Sequence, residues 1–235
     1  KDVPSRGAIA SLPLNEGTGS EVTGVCGDAK SFKATGEVSW KPDGKLGPAP
    51  VMKTNGTLEI GDVADFEKDH AFSSGAWVRA GRIGISGGII ARMDEKGGYR
   101  GWDLYQSDRS YSVHIVSTWP GDALKVSTRR PSVRPGVWQH VFVTYDGKGK
   151  VHGVKLYIDG VAQEMKVDAN ALKGSIRTQT PTRIGQRSHV QVFHDGGVQD
   201  VRIYDRALAA AEVKTLSKVG PLRVMLAAPK RNPRQ

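Results

Sequence analysis

Five side chains in the middle of the chain, Arg92, Asp103, Tyr105, His114 and Trp119, have the types and spacing to hold a ligand rather than transform one. In strands, successive residues point to opposite faces. Along Tyr111–Ser117, Val113 and Ile115 take one face and leave Ser112, His114 and Val116 on the other. Along Gly101–Gln106, Trp102 and Leu104 oppose Asp103 and Tyr105. If the Val/Ile and Trp/Leu sets face a core, Asp103, Tyr105 and His114 share an open face. Arg92, between Ala91 and Met93, is placed with them. Trp119, in Trp119-Pro120-Gly121-Asp122, falls in a rim loop, where its ring either stacks on a pyranose or a base or plugs the end of the fold. Aromatic platforms beside hydrogen-bonding groups are what a polyhydroxylated ligand needs. For His114, a structural role satisfied by a neighbour competes with ligand contact. Trp77 and Trp138, inside apolar strands, are assigned to the core.

Catalytic patterns are missing. A glycosidase needs two carboxylates held about 5–10 Å apart. Asp103 and the pair Asp94-Glu95 lie in the right region, but no expected strand carries two acids at even spacing. There is no Gly-x-Ser-x-Gly nucleophile elbow, and the six histidines show no partner spacing. The single cysteine, Cys26, rules out an internal disulfide and a cysteine-ligated zinc site, and reads as a buried, inert thiol. Asn55-Gly56-Thr57 fits a glycosylation acceptor and reads better as a turn.

The net charge of +10 invites a polyanion as partner. Four of the cations, Arg223, Lys230, Arg231 and Arg234, lie beyond Gly220 with no acid among them. That clustering disfavours nucleic acid and leaves a solvated basic surface, or an acidic polysaccharide, as the reading. No apolar run approaches the roughly 20 residues of a membrane-spanning helix. Without an initiating Met or leader, the chain reads as a segment of a longer protein: one domain over 1–219, then a basic, Pro-containing linker or the start of a following domain over 220–235.

With 29 glycines, 12 prolines and 7% aromatic residues, the composition suits short strands and tight turns. Strand patterns are read at Ala8–Leu12, Leu58–Gly61, Ala76–Ala80, Gly88–Met93, Gly101–Gln106, Tyr111–Ser117 and Ala123–Thr128. They continue at Trp138–Tyr145, Val154–Asp159, Val161–Val167, Thr182–Gln186 and Val198–Tyr204. Asp146-Gly147 and Asp159-Gly160 supply positive-φ turn positions after two of these runs. One helix is expected from Ala209 to about Lys218, stopped by Gly220-Pro221. Residues 15–50 alternate weakly and are expected to cross the end of the fold irregularly.

In this order, several segments resemble the laminin-G-like domains of the concanavalin A-like lectin/glucanase superfamily. They are Leu12-Pro13-Leu14-Asn15-Glu16-Gly17, Phe72-Ser73-Ser74-Gly75-Ala76-Trp77, Gly136-Val137-Trp138-Gln139-His140-Val141, Leu156-Tyr157-Ile158-Asp159-Gly160 and Asp200-Val201-Arg202-Ile203-Tyr204-Asp205-Arg206-Ala207-Leu208. Gly88–Val126 looks closest to modules in large planctomycete-type multidomain proteins with cytochrome c-like regions. The resemblance implies an all-β antiparallel sandwich, a jelly roll with one short C-terminal helix, and an extracytoplasmic location. It also implies calcium as a possible structural ion, with Asp200 at the position similar to a family ligand and Asp28 as a second oxygen donor. The family's Asp-rich, Gly-Asn-containing loop after the first strand is replaced here by Thr23-Gly24-Val25-Cys26-Gly27-Asp28. The functional expectation is a non-catalytic carbohydrate-binding or adhesion module, bound to a glycan and to neighbouring domains of its own polypeptide. A scaffold domain without a glycan site is the alternative, and a glycoside hydrolase with an unfamiliar site a distant third.

Overall fold

The structure is a computed structural model and describes residues 3–218. The chain opens with β1 (Ala8–Leu12), β2 (Glu21–Cys26), β3 (Ala29–Thr35), β4 (Val38–Lys41), β5 (Ala49–Met52) and β6 (Thr57–Glu59). Longer strands follow: β7 (Phe72–Arg79), β8 (Ser86–Asp94), β9 (Arg100–Ser107), β10 (Ser110–Thr118), β11 (Asp122–Thr128) and β12 (Trp138–Tyr145). The set closes with β13 (Val154–Ile158), β14 (Val161–Ala162), β15 (Met165–Asn170), β16 (Arg183–Ile184), β17 (Gly196–Tyr204) and the helix α1 (Ala210–Leu216).

These strands form two antiparallel layers. The first runs β14-β13-β12-β7-β17, continuing through β1 to β2 and, along the other half of β17, through β5 to β4. The second runs β15-β11-β10-β9-β8-β16-β6. Strand β3 pairs with β2 on one side and β6 on the other, and so joins the layers at one edge. The expected all-β antiparallel sandwich with one short helix is what the chain forms.

Alternation explains the core. Val78, Val141 and Val143 from the first layer meet Leu104, Val113 and Ile115 from the second, all at most 1% exposed. At its centre Phe66 stacks on Phe72 with ring centres 4.5 Å apart, and Trp102 closes against Phe72 at 5.2 Å. The Trp102 Nε1–H donates to Ala64 O at 2.9 Å, so a large ring is buried without orphaning its polar atom. Burying each such side chain stabilises the fold by about 1.5–3 kcal/mol. On the outer face of the first layer, Val213 and Leu216 of α1 cover Phe142, Tyr157 and Tyr204. The helix lacks a capping hydroxyl at Ala209, but the Ala209 N–H donates to Glu212 Oε2 at 2.8 Å.

Three expectations are corrected. Residues 15–50 contain three strands, β2 to β4, and the start of β5 rather than an irregular crossing. In β2 and β3 only Val22, Cys26, Phe32 and Ala34 turn inward, while lysines and hydroxyls fill the exposed face, so the hydrophobic alternation is faint. The single run expected over Val161–Val167 breaks at 163–164, because β14 pairs in the first layer and β15 in the second. Trp77 is buried and Trp138 half-buried, but neither packs between the sheets. Trp77 lies opposite His140 and Trp138 opposite Arg79, on the outer face of the first layer, with Lys45 Nζ 4.4 Å from the Trp77 ring centre.

The Asp159-Gly160 hairpin forms as read, with φ of 51° and 78° and Ile158 facing Val161. Cys26 is buried, its Sγ 3.6 Å from Ile60 O, and burial pushes its thiol up to about 11. The segment 220–235, read as a linker, lies outside the described residues.

Candidate functional site

The site grows from the outward face of β8 to β11. Asp103 on β9 lies directly opposite His114 on β10, and Tyr105 opposite Ser112, so Asp103, Tyr105 and His114 share one face. Asp103 is also opposite Ala91, and His114 opposite Lys125. Arg92 does not join them. It pairs with Trp102 and therefore points into the sandwich, where it is 2% exposed. There its Nη2 donates to Thr178 O at 2.6 Å and lies 2.7 Å from Asp62 Oδ1, and its Nε is 3.3 Å from Asp65 Oδ1. Alternation marks no phase for β8, and the phase is set by Ile90, which pairs inward with Leu104.

A residue that strand periodicity could not nominate completes the cluster. After β16 the chain returns as a loop over residues 186–195, lying on the outward face of β8 and β9. Gly88 N–H donates to Gln191 O at 2.8 Å, and Glu95 Oε2 accepts the backbone N–H groups of His189 and Val190. Gly87 permits this approach, since a Cβ there would stand 2.1 Å from Val192 O. The loop delivers Arg187. Its Nε–H donates to Asp103 Oδ2 at 2.6 Å, and its guanidinium carbon lies 4.1 Å from the Tyr105 ring centre. His114 Nδ1–H donates to Asp103 Oδ1 at 2.7 Å. Burial opposes the charge on Asp103, but Arg187 and His114 outweigh it and hold the carboxyl below the usual range.

This geometry changes two roles. Asp103 is wholly buried and anchors Arg187 and His114 instead of meeting a ligand. Tyr105 is covered: Arg187 lies over its ring and its hydroxyl donates to Gln191 Oε1, so it cannot serve as a stacking platform. Burial pushes its phenol up to about 12.

What stays open is a crevice of about 170 Å³ lined by Met93, Tyr99, His114, Val116, Trp119 and Arg187. Trp119 is half-buried at the rim, edge-on to His114 with ring centres 6.0 Å apart, and Lys125 Nζ lies 5.5 Å from its ring centre. Tyr99, on the turn between β8 and β9, is exposed opposite it, 5.6 Å from the Arg187 guanidinium. Met93 and Val116 form an apolar floor with Ala123. Of the five nominated residues, the structure brings His114 and Trp119 to the crevice with Asp103 beneath them. Tyr99, Lys125 and Arg187 were missed. Tyr99 and Arg187 sit in turns where no alternation marks a face, and Lys125 reads as an ordinary exposed position on a strand.

The calcium pair does not assemble. Asp200 sits at the bulge of β17 with φ 50°, 2% exposed, and its Oδ1 accepts the Arg202 Nε–H at 2.9 Å. Asp28 is exposed in the turn between β2 and β3. Among the described residues no three His, Cys, Asp or Glu side chains group as a metal site would need. A carboxylate neutralised by a buried arginine is a poor oxygen donor, so these residues do not fit the ion.

A two-layer antiparallel sandwich whose outer sheet face carries an aromatic-rimmed crevice belongs to the class of lectin-like domains. The laminin G-type profile of the concanavalin A-like lectin/glucanases superfamily matches residues 53–214, and the chain belongs to that family. Among curated proteins no sequence relative is found. Solved structures share the fold. The binding domain of Paraclostridial Mosquitocidal Protein 1 superposes with a TM-score of 0.69 at 17% identity, covering 90% of this chain and 52% of that one. The botulinum neurotoxin serotype D binding domain gives 0.64 at 13% identity, with 90% and 51% covered. This chain thus spans about half the length of those toxin domains. Domain 4 of AbnA, a GH43 extracellular arabinanase from Geobacillus stearothermophilus solved with arabinotriose, gives 0.58 at 18% identity, with 89% and 98% covered. No helix of the described residues is long and apolar enough to cross a membrane.

Proposed function

We propose that this domain is a non-catalytic carbohydrate-binding module, part of a larger extracytoplasmic protein. The observation that carries the reading is the crevice in which Trp119 and Tyr99 flank His114 and Arg187, both fixed from below by Asp103. With its Nδ1 committed to Asp103, His114 has only Nε2 left for a sugar hydroxyl, while Arg187 offers only donors. Trp119 supplies the stacking face. No carboxylate lines the crevice, and Asp103 is engaged on both oxygens, which leaves hydrolysis without its pair of acids. The arabinotriose complex of the like-folded arabinanase domain supports a sugar as ligand class.

An acidic or sulfated polysaccharide is favoured by Lys125 at the rim, not by Arg187, whose charge Asp103 cancels. The screen that tests this sets neutral, uronic-acid and sulfated polysaccharides against the protein and its Trp119→Ala variant at two salt concentrations. Binding that needs Trp119 supports the reading, and a modest loss with salt, about one counterion's worth, supports the acidic ligand. Indifference to the whole panel sinks it and favours a scaffold that docks neighbouring domains.

A further inference from the structure

We propose that the glycan path does not end in the crevice but turns over the β8–β9 hairpin into a second, larger groove at the end of the sandwich, so that the domain grips the interior of a polysaccharide chain. This rests on the carbohydrate reading above. The groove holds about 720 Å³ and is lined by Asp65, Asp94, Arg100, Arg177, Gln179 and Thr180.

The hairpin divides the two spaces. Met93 and Tyr99 line the crevice, while their chain neighbours Asp94 and Arg100, paired across the hairpin, line the groove. Met93 and Asp94 are successive residues of β8 and point to opposite faces, so this hairpin end serves both sides. Between them the tip carries Gly97 and Gly98, which raise no side chain, and exposed Lys96. The crossing is low.

The groove is also built. Arg92, buried beneath it, ties Asp62, Asp65 and the Thr178 carbonyl together. Arg177 Nε–H donates to Asp65 at 2.8 Å, Arg100 Nη1–H to Ser175 O at 3.2 Å, and Asp94 Oδ1 accepts the N–H groups of Lys96 and Gly97. Two acids balance two arginines, each held by local bonds. Such a wall offers fixed donors and acceptors without net charge, which matches sugar hydroxyls.

Calorimetry with arabino-, xylo-, cello-, laminari- and galacturonic-acid oligosaccharide ladders, from the monosaccharide to the hexasaccharide, tests the path. For the ladder that binds, one molecule per chain is expected, with affinity still rising beyond the trisaccharide. In Gln179→Ala and Arg177→Ala the long oligosaccharides should weaken about tenfold, the worth of one or two hydrogen bonds, while the shortest are unaffected. Trp119→Ala should weaken every length. Affinity that is flat from the disaccharide upward, yet still lost in Trp119→Ala, overturns the path and spares the crevice. Two molecules bound per chain also overturns it. Failure of all five ladders to bind, the acidic one included, overturns both.

Discussion

Asp103 lies beneath Arg187 as its only acidic partner among the described residues, with Oδ2 accepting the Nε–H at 2.6 Å and neither side chain more than 7% exposed. The loop that carries Arg187 reaches the sheet by backbone hydrogen bonds, but the guanidinium is oriented by this carboxylate. A buried ion pair adds little net stability, because desolvation offsets attraction, yet removing one partner strands the other's charge.

Asp103→Asn should therefore lower stability by about 3–5 kcal/mol and weaken sugar binding. Replacing both partners, Asp103→Leu with Arg187→Met, should recover most of the stability and none of the binding. Denaturant melts and calorimetry on the three proteins check this. A single variant that melts like the parent would falsify the anchoring role.

The two aromatic residues nominated as platforms should behave oppositely. Trp119→Ala removes an accessible ring at the rim and should cost at least about tenfold in affinity, as truncating a central aromatic contact does. Tyr105→Phe removes only the hydroxyl bond to Gln191 from a ring that Arg187 already covers. Its affinity should stay near that of the parent, with a stability loss of about 1 kcal/mol. Equal losses of affinity would place the ligand on the wrong part of the sheet.

His140 sets an acid limit on the fold. Its ring stacks on Phe142 at 5.5 Å and is 1% exposed, with burial and then Arg202 pushing it down to about 3. In the unfolded chain it protonates near pH 6.5, so between about pH 6.5 and 3 the unfolded state binds a proton that the folded state refuses. Stability must then fall as pH drops through that window, and His140→Phe, which keeps an aromatic ring, should flatten the profile. Melting temperatures of the two proteins from pH 7 to pH 4 decide it. Parallel curves would show that His140 does not carry the effect.

The same physics shows why only part of the site was legible. Long strands buried on one face declare themselves, and the cross-strand meeting of Asp103 with His114 followed from alternation once Val113 and Trp102 were turned inward. Arg92 obeys the same period, but β8 is buried on both faces, from Ile90 through Met93, so nothing marks which residues turn outward. Arg187 is harder still. Its place depends on a loop laid over β8, which needs a residue without a side chain at Gly87 and an acid at Glu95; these lie 100 and 92 residues before the arginine in the chain, and neither carries a period. The covering of Tyr105 follows from that loop and was invisible with it.

Asp200 offers the last test, because the family resemblance and the local geometry disagree about it. Burial pushes its carboxyl above the ordinary range despite Arg202, and its backbone N–H donates to Pro13 O at 3.0 Å, fixing the bulge where β17 exchanges β5 for β1 as its neighbour. Asn tolerates the same positive φ, so Asp200→Asn isolates the charge from the backbone. It should destabilise the protein by about 3 kcal/mol by stranding Arg202. If the carboxylate serves Arg202 and not an ion, calcium and chelator should leave the melting temperature unchanged. A bound ion at a hundred times its Kd would add about 2.7 kcal/mol and raise the midpoint by several degrees. A calcium-dependent rise that disappears in Asp200→Asn would return this residue to the metal.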